Sequence, residues 1–153
     1  MESLDPTDIR LLDALQQNAQ LTTQELGDAL GLSPSQAGRR KQRLEAAGYV
    51  RTYAARLDAA KLGLDVQAFV QVLLASHAPE TSRDFRTLMK ARREVVSVWA
   101  LTGEADYLLR VYTPDLARLN MLIQDVILPH KAVGRVQSQI VMDQPKADAG
   151  LPL

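Results

Sequence analysis

The sequence contains no cysteine and only two histidines, His77 and His130, among its 153 residues. The lack of cysteine excludes disulfides, thiolate zinc sites and catalysis by a cysteine nucleophile. Two histidines leave little room for a histidine metal site, and we expect both of them at the surface. We therefore predict that the chain holds no metal ion.

Long apolar runs are missing as well. No run approaches the roughly 18 residues of a membrane span, and no signal-peptide pattern opens the chain. We therefore expect a cytoplasmic protein that has no membrane partner.

The chain also lacks net charge, because 18 Lys and Arg residues balance 18 Asp and Glu residues. The charge is nevertheless segregated along the sequence. Residues 1–38 carry six acids and one arginine, a net of −5, whereas residues 39–56 carry six bases and one acid, a net of +5. A basic segment of this kind is typical of a surface that meets nucleic acid, although charge runs are often only solvated surface.

Three helix starts follow one another in the first 36 residues. Each has a capping side chain, with a proline at the first helical position or a Glu or Gln three residues after the cap. The three are Asp5 with Pro6, Thr22 with Glu25, and Ser33 with Pro34 and Gln36. Gly31 and Gly48 supply stops that tolerate a left-handed conformation. The short, glycine-containing turn between the second and third helices predicts a helix-turn-helix.

The third helix has one face that packs against its own domain and an adjacent face that can contact a partner. Ala37, Lys41 and Leu44 share a face, and Gln and Arg side chains occupy the adjacent face, which is the composition that a DNA major groove accepts. Arg51 and Arg56 follow in an extended segment, residues 49–57, that we interpret as a basic wing. The candidate DNA-binding residues are Ser35, Gln36, Arg39, Arg40, Arg43, Arg51 and Arg56. An ordinary solvated helix is the alternative interpretation.

The second half of the chain changes periodicity. Apolar and β-branched alternation predicts strands at 66–75, 95–101, 107–112 and 133–142, with helices at 80–91 and from a Thr113 cap onward. This βαββαβ order predicts an α+β protein: a winged helix-turn-helix followed by a ferredoxin-like domain with both helices on one face of the sheet. The predicted boundaries are 1–57 for the DNA-binding domain, 58–65 for a linker, 66–145 for the sheet domain and 146–153 for a loose tail.

Apolar side chains alternate along the strands so that some of them fall on the face without helices. They are Phe69, Leu73, Trp99 and Leu101. An apolar second face in a small domain predicts dimerisation through the sheet.

Both halves of the chain resemble the Lrp/AsnC family of transcriptional regulators, from about Leu4 to Lys146. The motifs are GLSPSQAGRRKQRLE and GYV in the first half, and LTGEADYLLRV with the IVM strand in the second. The resemblance implies that the sheet domain dimerises, that dimers assemble to octamers or larger rings, and that an amino acid or related effector binds between dimers near TGEAD. Lys41 departs from the family pattern, where an apolar residue is usual, and Pro129 to Ala132 replaces the usual Pro-Gly.

The TGEAD loop supplies the candidate effector-binding residues implied by the resemblance. A glycine lets backbone approach a ligand, and a carboxylate pairs with an α-ammonium group. The candidates are Thr102, Gly103, Glu104, Asp106 and Tyr107, with Gln139 on the last strand as a weaker one. Glycine and aspartate are also default turn residues, which is the alternative reading of the loop.

Three function classes follow from these observations. The favoured one is a DNA-binding regulator that responds to an amino acid or related small effector, as a homo-oligomer with no other cofactor. A ligand-independent architectural protein that wraps DNA is the alternative. A small enzyme is disfavoured, because the sequence offers no nucleophile–base pair and no metal cluster.

Overall fold

A computed structural model of the protein describes residues 4–76 and 78–153. His77, expected at the surface, lies outside the described residues. The chain forms two compact units, one running up to Arg56 and including Pro145–Leu153, and the other comprising Leu57–Gln144. Within the described ranges, no helix is long and apolar enough to cross a membrane.

The first unit contains three helices, α1 (Pro6–Gln17), α2 (Thr23–Leu30) and α3 (Pro34–Ala46). Each begins where the sequence predicts, and each has a complete capping box, in which the cap side chain and the third helical residue bond each other's backbone. The cap residues are Asp5, Thr22 and Ser33. The predicted helix-turn-helix is therefore confirmed.

Both predicted glycine stops are left-handed in the structure, with φ of 69° at Gly31 and 78° at Gly48. After α3, the Gly48 N–H donates to the carbonyl of Glu45 and the Tyr49 N–H donates to that of Leu44, both at 3.0 Å. This pair of bonds is a Schellman motif, which satisfies two carbonyls that the end of the helix would otherwise leave unpaired.

A small apolar core holds the three helices together. Leu11, Leu26 and Ala37 are fully buried in it, and Leu44 is almost so. Gly27 permits the tight turn that follows α2, because a Cβ atom there would lie 2.7 Å from the carbonyl oxygen of Leu32. The close packing of Gly27 against the backbone of residues 32–34 therefore sets the position at which α3 begins.

The segment interpreted as a basic wing follows α3. Residues 51–58 form neither helix nor strand. Tyr53 is held beside α3, because its hydroxyl donates to the Glu45 carboxylate at 2.6 Å and the Lys41 ammonium lies 5.5 Å from its ring centroid. Lys41 and Tyr53 are thus within the distance of a cation–π interaction.

The tail expected to be loose instead contacts the first unit. The Gln16 carboxamide donates to the Leu151 carbonyl and accepts from the Leu151 N–H, both at 2.8 Å. The Arg56 guanidinium also donates to the carbonyl of Asp148. The Gln16 carboxamide thus pairs with the tail as a neighbouring β-strand would, through one donated and one accepted hydrogen bond. The Pro-, Ala- and Gly-rich composition of the tail gives no sign of this contact.

The second unit has the predicted βαββαβ order. Its elements are β1 (Val66–Leu74), α4 (Pro79–Ala91), β2 (Val95–Ala100), β3 (Tyr107–Thr113), α5 (Leu116–Met121) and β4 (Val133–Ile140). The strands form one antiparallel sheet in the order β2-β3-β1-β4, which is the ferredoxin-like arrangement. A turn of 3₁₀ helix, Ala60–Leu62, precedes β1 and ends at the left-handed Gly63.

The start of α5 corrects one prediction. Thr113 is not the helix cap but the buried last residue of β3, where it pairs with Val66. Asp115 caps the helix instead, because its side chain accepts from the Arg118 N–H at 2.7 Å. Thr-Pro resembles a cap followed by a first helical proline, but pairing with β1 keeps Thr113 in the sheet. The helix then continues as a π-helical segment, Leu122–Ile127.

The two faces of the sheet differ as predicted. Alternate residues of β1, such as Val70 and Val72, are fully buried with Phe85 and Met89 of α4. On the opposite face, Leu73 and Trp99 are 39% and 43% exposed; Phe69 is half-buried and Leu101 is exposed. Gln71 and Gln137 are paired across β1 and β4 between these apolar residues, so the open face is mixed rather than purely apolar.

Candidate DNA-binding and effector-binding surfaces

The outer surface of α3 forms a concave patch of about 310 Å³. Gln36, Arg39, Arg40 and Arg43 line it together with Leu32. The structure therefore brings four of the seven candidate DNA-binding residues onto one surface. Arginine and glutamine are the side chains that pair bidentately with guanine and adenine, and arginine also binds phosphate.

The cap of α3 constrains Gln36 and a fifth candidate, Ser35. The carboxamide oxygen of Gln36 accepts from both the N–H and the hydroxyl of Ser33, each at 3.0 Å. A bidentate contact with adenine would need that oxygen to accept another hydrogen bond. Ser35 is exposed, its hydroxyl lies 3.2 Å from that of Ser33, and its carbonyl accepts from Arg39 Nε at 3.4 Å.

Arg40 and Arg43 form an ion-pair cluster with α1 that the sequence analysis missed. Arg40 donates to Asp5 at 2.6 Å and to Asp8 at 2.8 Å, and Arg43 donates to the other oxygen of Asp8 at 2.6 Å. Asp8 is 1% exposed. A residue three positions after an N-cap is normally read as the second half of a capping box. Its contact with a helix 32 residues away follows only from the packing.

The cluster keeps both carboxylates charged. Burial by itself would raise the pKa of Asp8, but the hydrogen bonds from Arg40, the Asp5 backbone and Arg43 outweigh it and hold the pKa below its ordinary value. The hydrogen bond from Arg40 likewise lowers the pKa of Asp5. At neutral pH the cluster therefore contains two carboxylates and two guanidinium groups, and its formal charges cancel.

The two remaining candidates lie in the irregular segment after α3 and do not line the concave patch. Arg51 is exposed, and Arg56, also exposed, donates to the tail as described above. These two arginines are therefore exposed in the segment that follows α3.

The loop between β2 and β3 holds its own shape. Gly103 has a φ of 123°, a value that L side chains rarely adopt, and its Cβ position faces open space. Asp106 connects the loop to β1, since its N–H donates to the Val72 carbonyl at 3.0 Å and its carboxylate accepts from the Leu74 N–H at 2.7 Å. Thr102 and Glu104 are exposed. The positive φ of Gly103 fits the turn interpretation, whereas the carboxylate of Asp106 holds the loop against β1.

The structure does not bring all the effector candidates together. Tyr107 is only 8% exposed, and its ring lies 5.4 Å from that of Phe85 on the helix-covered face. Gln139 pairs with Phe69, three residues along β1 from the Val72–Tyr107 pair. At about 3.3 Å per residue, that spacing places Gln139 about 10 Å along the strand from the loop.

A cleft of about 320 Å³ lies at the loop end of the open face. It is lined by Gln71, Leu73, Glu104, Ala105, Arg135 and Gln137. Glu104 is the only effector candidate that lines it, and the sequence analysis missed Arg135 and both glutamines. The available signal was alternation, of Arg135 and Gln137 with Val136 on β4 and of Gln71 with Val70 and Val72 on β1. Elsewhere in residues 4–76 and 78–153, no group of three His, Asp or Glu side chains is placed to hold a metal ion.

Comparison with known proteins gives matches over both units. The model of the AsnC-type helix-turn-helix domain matches residues 4–45, and that of the Lrp/AsnC ligand binding domain matches residues 67–151. The DNA-binding transcriptional activator DecR of Escherichia coli is 33% identical over 150 residues, covering 98% of this chain and 99% of DecR. The leucine-responsive regulatory protein of Escherichia coli is 29% identical over 145 residues, covering 95% of this chain and 88% of that protein.

Solved structures are similar over the whole chain. A transcriptional regulator from Neisseria meningitidis, crystallised as a complex with L-Met, has a TM-score of 0.94 and 40% identity, covering 98% of this chain and 97% of its own. An AsnC family transcriptional regulator from Agrobacterium tumefaciens has a TM-score of 0.90 and 33% identity, with 97% of each chain covered.

Proposed function

The chain belongs to the Lrp/AsnC family of transcriptional regulators, and on that premise we propose that an amino acid controls how it binds duplex DNA. The observation that carries the proposal is the pairing of an α3 surface rich in arginine with a separate cleft that contains both a carboxylate and a guanidinium group. The relatives named as DNA-binding regulators, and the relative crystallised with L-Met, support the two halves of the proposal.

In this proposal α3 enters the major groove. Arg39, Arg43 and Gln36 contact base edges. Their side chains are exposed on the concave patch and carry N–H donors for the acceptor atoms of guanine and adenine. Arg51 and Arg56 contact phosphate from the flanking segment. Ser35, close to the start of α3, is placed to bind phosphate through its hydroxyl.

The cleft is complementary to a free amino acid. Glu104 supplies a carboxylate for the α-ammonium group, and Arg135 supplies a guanidinium for the α-carboxylate. Leu73 offers an apolar surface to the side chain, and Gln71 and Gln137 add donors and acceptors. A volume of about 320 Å³ lies at the small end of ligand sites, which favours a single amino acid over a peptide.

Assembly completes the proposed site. Two copies pack through the open face, which covers the exposed Trp99 and leaves Leu73 accessible in the cleft, and dimers assemble further to octamers or larger rings. Gln139 lies about 10 Å along the strand from the loop of its own chain, so in this proposal it contributes to the effector from a neighbouring copy. An effector at such a junction changes assembly by binding one assembly state more tightly than another.

Isothermal titration calorimetry of the full chain with each of the twenty amino acids tests the effector half of the proposal. We expect at least one to bind, and we expect Glu104→Gln to weaken it at least tenfold, because a neutral amide can accept a hydrogen bond from an ammonium group but cannot form an ion pair with it. Glu80→Gln removes a charge from an exposed position in the first turn of α4 and is the matched control.

Equal affinity of the wild type and Glu104→Gln would remove Glu104 from the site. DNA binding with no response to any amino acid would instead favour the architectural alternative.

A further inference from the structure

Asp8 is the most buried charged side chain described in the first unit, and it lies on α1 rather than on the proposed recognition helix. Both of its carboxylate oxygens accept from arginines of α3, at 2.8 Å from Arg40 and at 2.6 Å from Arg43. Its side chain is 2% exposed, whereas those of Arg40 and Arg43 are 30% and 44% exposed. A buried carboxylate thus bonds one terminal nitrogen of each of two partly exposed guanidinium groups.

The two arginines are not held equally. One nitrogen of Arg40 is shared between Asp8 and Asp5, where the Asp5 contact is 2.6 Å. Arg43 uses a single nitrogen for Asp8 and has no bond to Asp5 among the described contacts, so more of its donors can face a groove. Arg40 is therefore bound to two carboxylates, whereas Arg43 is bound to one carboxylate through one nitrogen.

We propose that Asp8 is a specificity-determining positioning residue, which withholds Arg40 from phosphate and fixes the side of Arg43 that meets a base. This inference rests on the proposed DNA binding by α3. An arginine that stays paired with a carboxylate neutralises no phosphate and so displaces none of the cations condensed on DNA, which keeps affinity low for every sequence. A fixed Arg43 contacts bases with a defined geometry, which maintains affinity for the correct sequence.

This role differs from that of an ordinary stabilising ion pair. An ion pair that only stabilises the fold would change the free energy of unfolding and leave the ratio of specific to non-specific affinity unchanged. Removal of the positioning residue should instead tighten binding to arbitrary DNA, steepen its dependence on salt and reduce the ratio. The salt slope is the more direct readout, because it counts the phosphates that the protein neutralises.

The test compares Asp8→Asn with Asp13→Asn, which removes the same charge from the same helix. Asp13 contacts Gln16 and Gln17 rather than the arginines of α3. The probes are a duplex selected from a random library by the wild-type protein and a scrambled duplex of equal composition, with binding followed by fluorescence anisotropy at several salt concentrations. Thermal unfolding by circular dichroism establishes that each variant is folded.

We expect Asp8→Asn to bind the scrambled duplex with a log–log salt slope steeper by about 1–2, the value for one or two added phosphate contacts. We also expect the ratio of specific to non-specific affinity to fall about tenfold, while Asp13→Asn changes neither quantity. A folded Asp8→Asn variant with an unchanged slope and ratio would overturn the inference.

If Asp8→Asn does not fold, Asp5→Asn tests the half of the proposal that concerns Arg40, because asparagine is also a good N-cap and the contacts of Asp8 with both arginines remain. Its slope should steepen by up to about 1, and an unchanged slope would contradict the role of the cluster. Failure of the wild type to bind any duplex would refute the proposed function itself, which separates the two failures.

Discussion

Substitution of Gly27 by alanine tests the packing that sets the position of α3. The added Cβ would lie 2.7 Å from the carbonyl oxygen of Leu32, 3.3 Å from the nitrogen of Pro34 and 3.4 Å from the carbonyl carbon of Ser33. All three atoms are backbone, so no side chain can rotate away. Alanine gains about 1 kcal/mol over glycine inside a helix, whereas forced overpacking costs about 1–3 kcal/mol. Because rigid backbone favours the upper part of that range, we expect a net destabilisation of about 1–2 kcal/mol.

Gly38→Ala is the matched control within the same three helices. Its Cβ would approach only the Thr23 side chain, at 3.3 Å from Cγ2, and that side chain can move. We therefore expect it to be neutral or stabilising by up to about 1 kcal/mol.

Urea denaturation followed by far-UV circular dichroism measures both changes. Fluorescence of Trp99, the only tryptophan, reports on the second unit and should be nearly unaffected. A Gly27→Ala variant as stable as Gly38→Ala would refute the assignment of a backbone clash at the turn.

Further predictions concern DNA contacts, ionisation and assembly. Arg39→Ala should cost about 1–3 kcal/mol on the selected duplex and little on a scrambled one, whereas Arg51→Ala should weaken both and flatten the salt slope, as measured by mobility shift. Burial and the Glu45 carboxylate raise the pKa of Tyr53 from 10.0 to about 12. The contribution of Tyr53 to stability should therefore be present below pH 10 and be lost as the pH rises towards 12. Thermal melts should show that Tyr53→Phe removes this pH dependence. Sedimentation should show a dimer or larger species at micromolar concentration and a monomer for Trp99→Glu, and a stable wild-type monomer would contradict this.

Local signals made the helices of the first unit predictable. Capping boxes and glycine stops involve residues three to five apart, so the pattern at Ser33 and Gln36, for example, can be read directly from the sequence. Strand order in the second unit followed from the alternation of apolar residues and the βαββαβ order. These features depend on neighbours along the chain or on one period of hydrophobicity.

The missed features depend on contacts between distant segments. Thr113 looks like a helix cap until its pairing with Val66 places it in β3. Asp8 looks like half of a capping box, which it is, but its second contact with α3 arises only from the packing of three helices. Arg135 comes beside Glu104 only through the sheet register. Sequence spacing alone cannot supply such information.

The most direct test of amino-acid control of DNA binding is a single coupling measurement. The selected duplex is titrated with the full chain by fluorescence anisotropy, in the absence and in the presence of a saturating concentration of each amino acid. Coupling between two sites is typically 1–3 kcal/mol, so at least one amino acid should change the apparent Kd by about fivefold or more. An apparent Kd that stays the same with all twenty amino acids, for a chain that binds the duplex, would contradict the account.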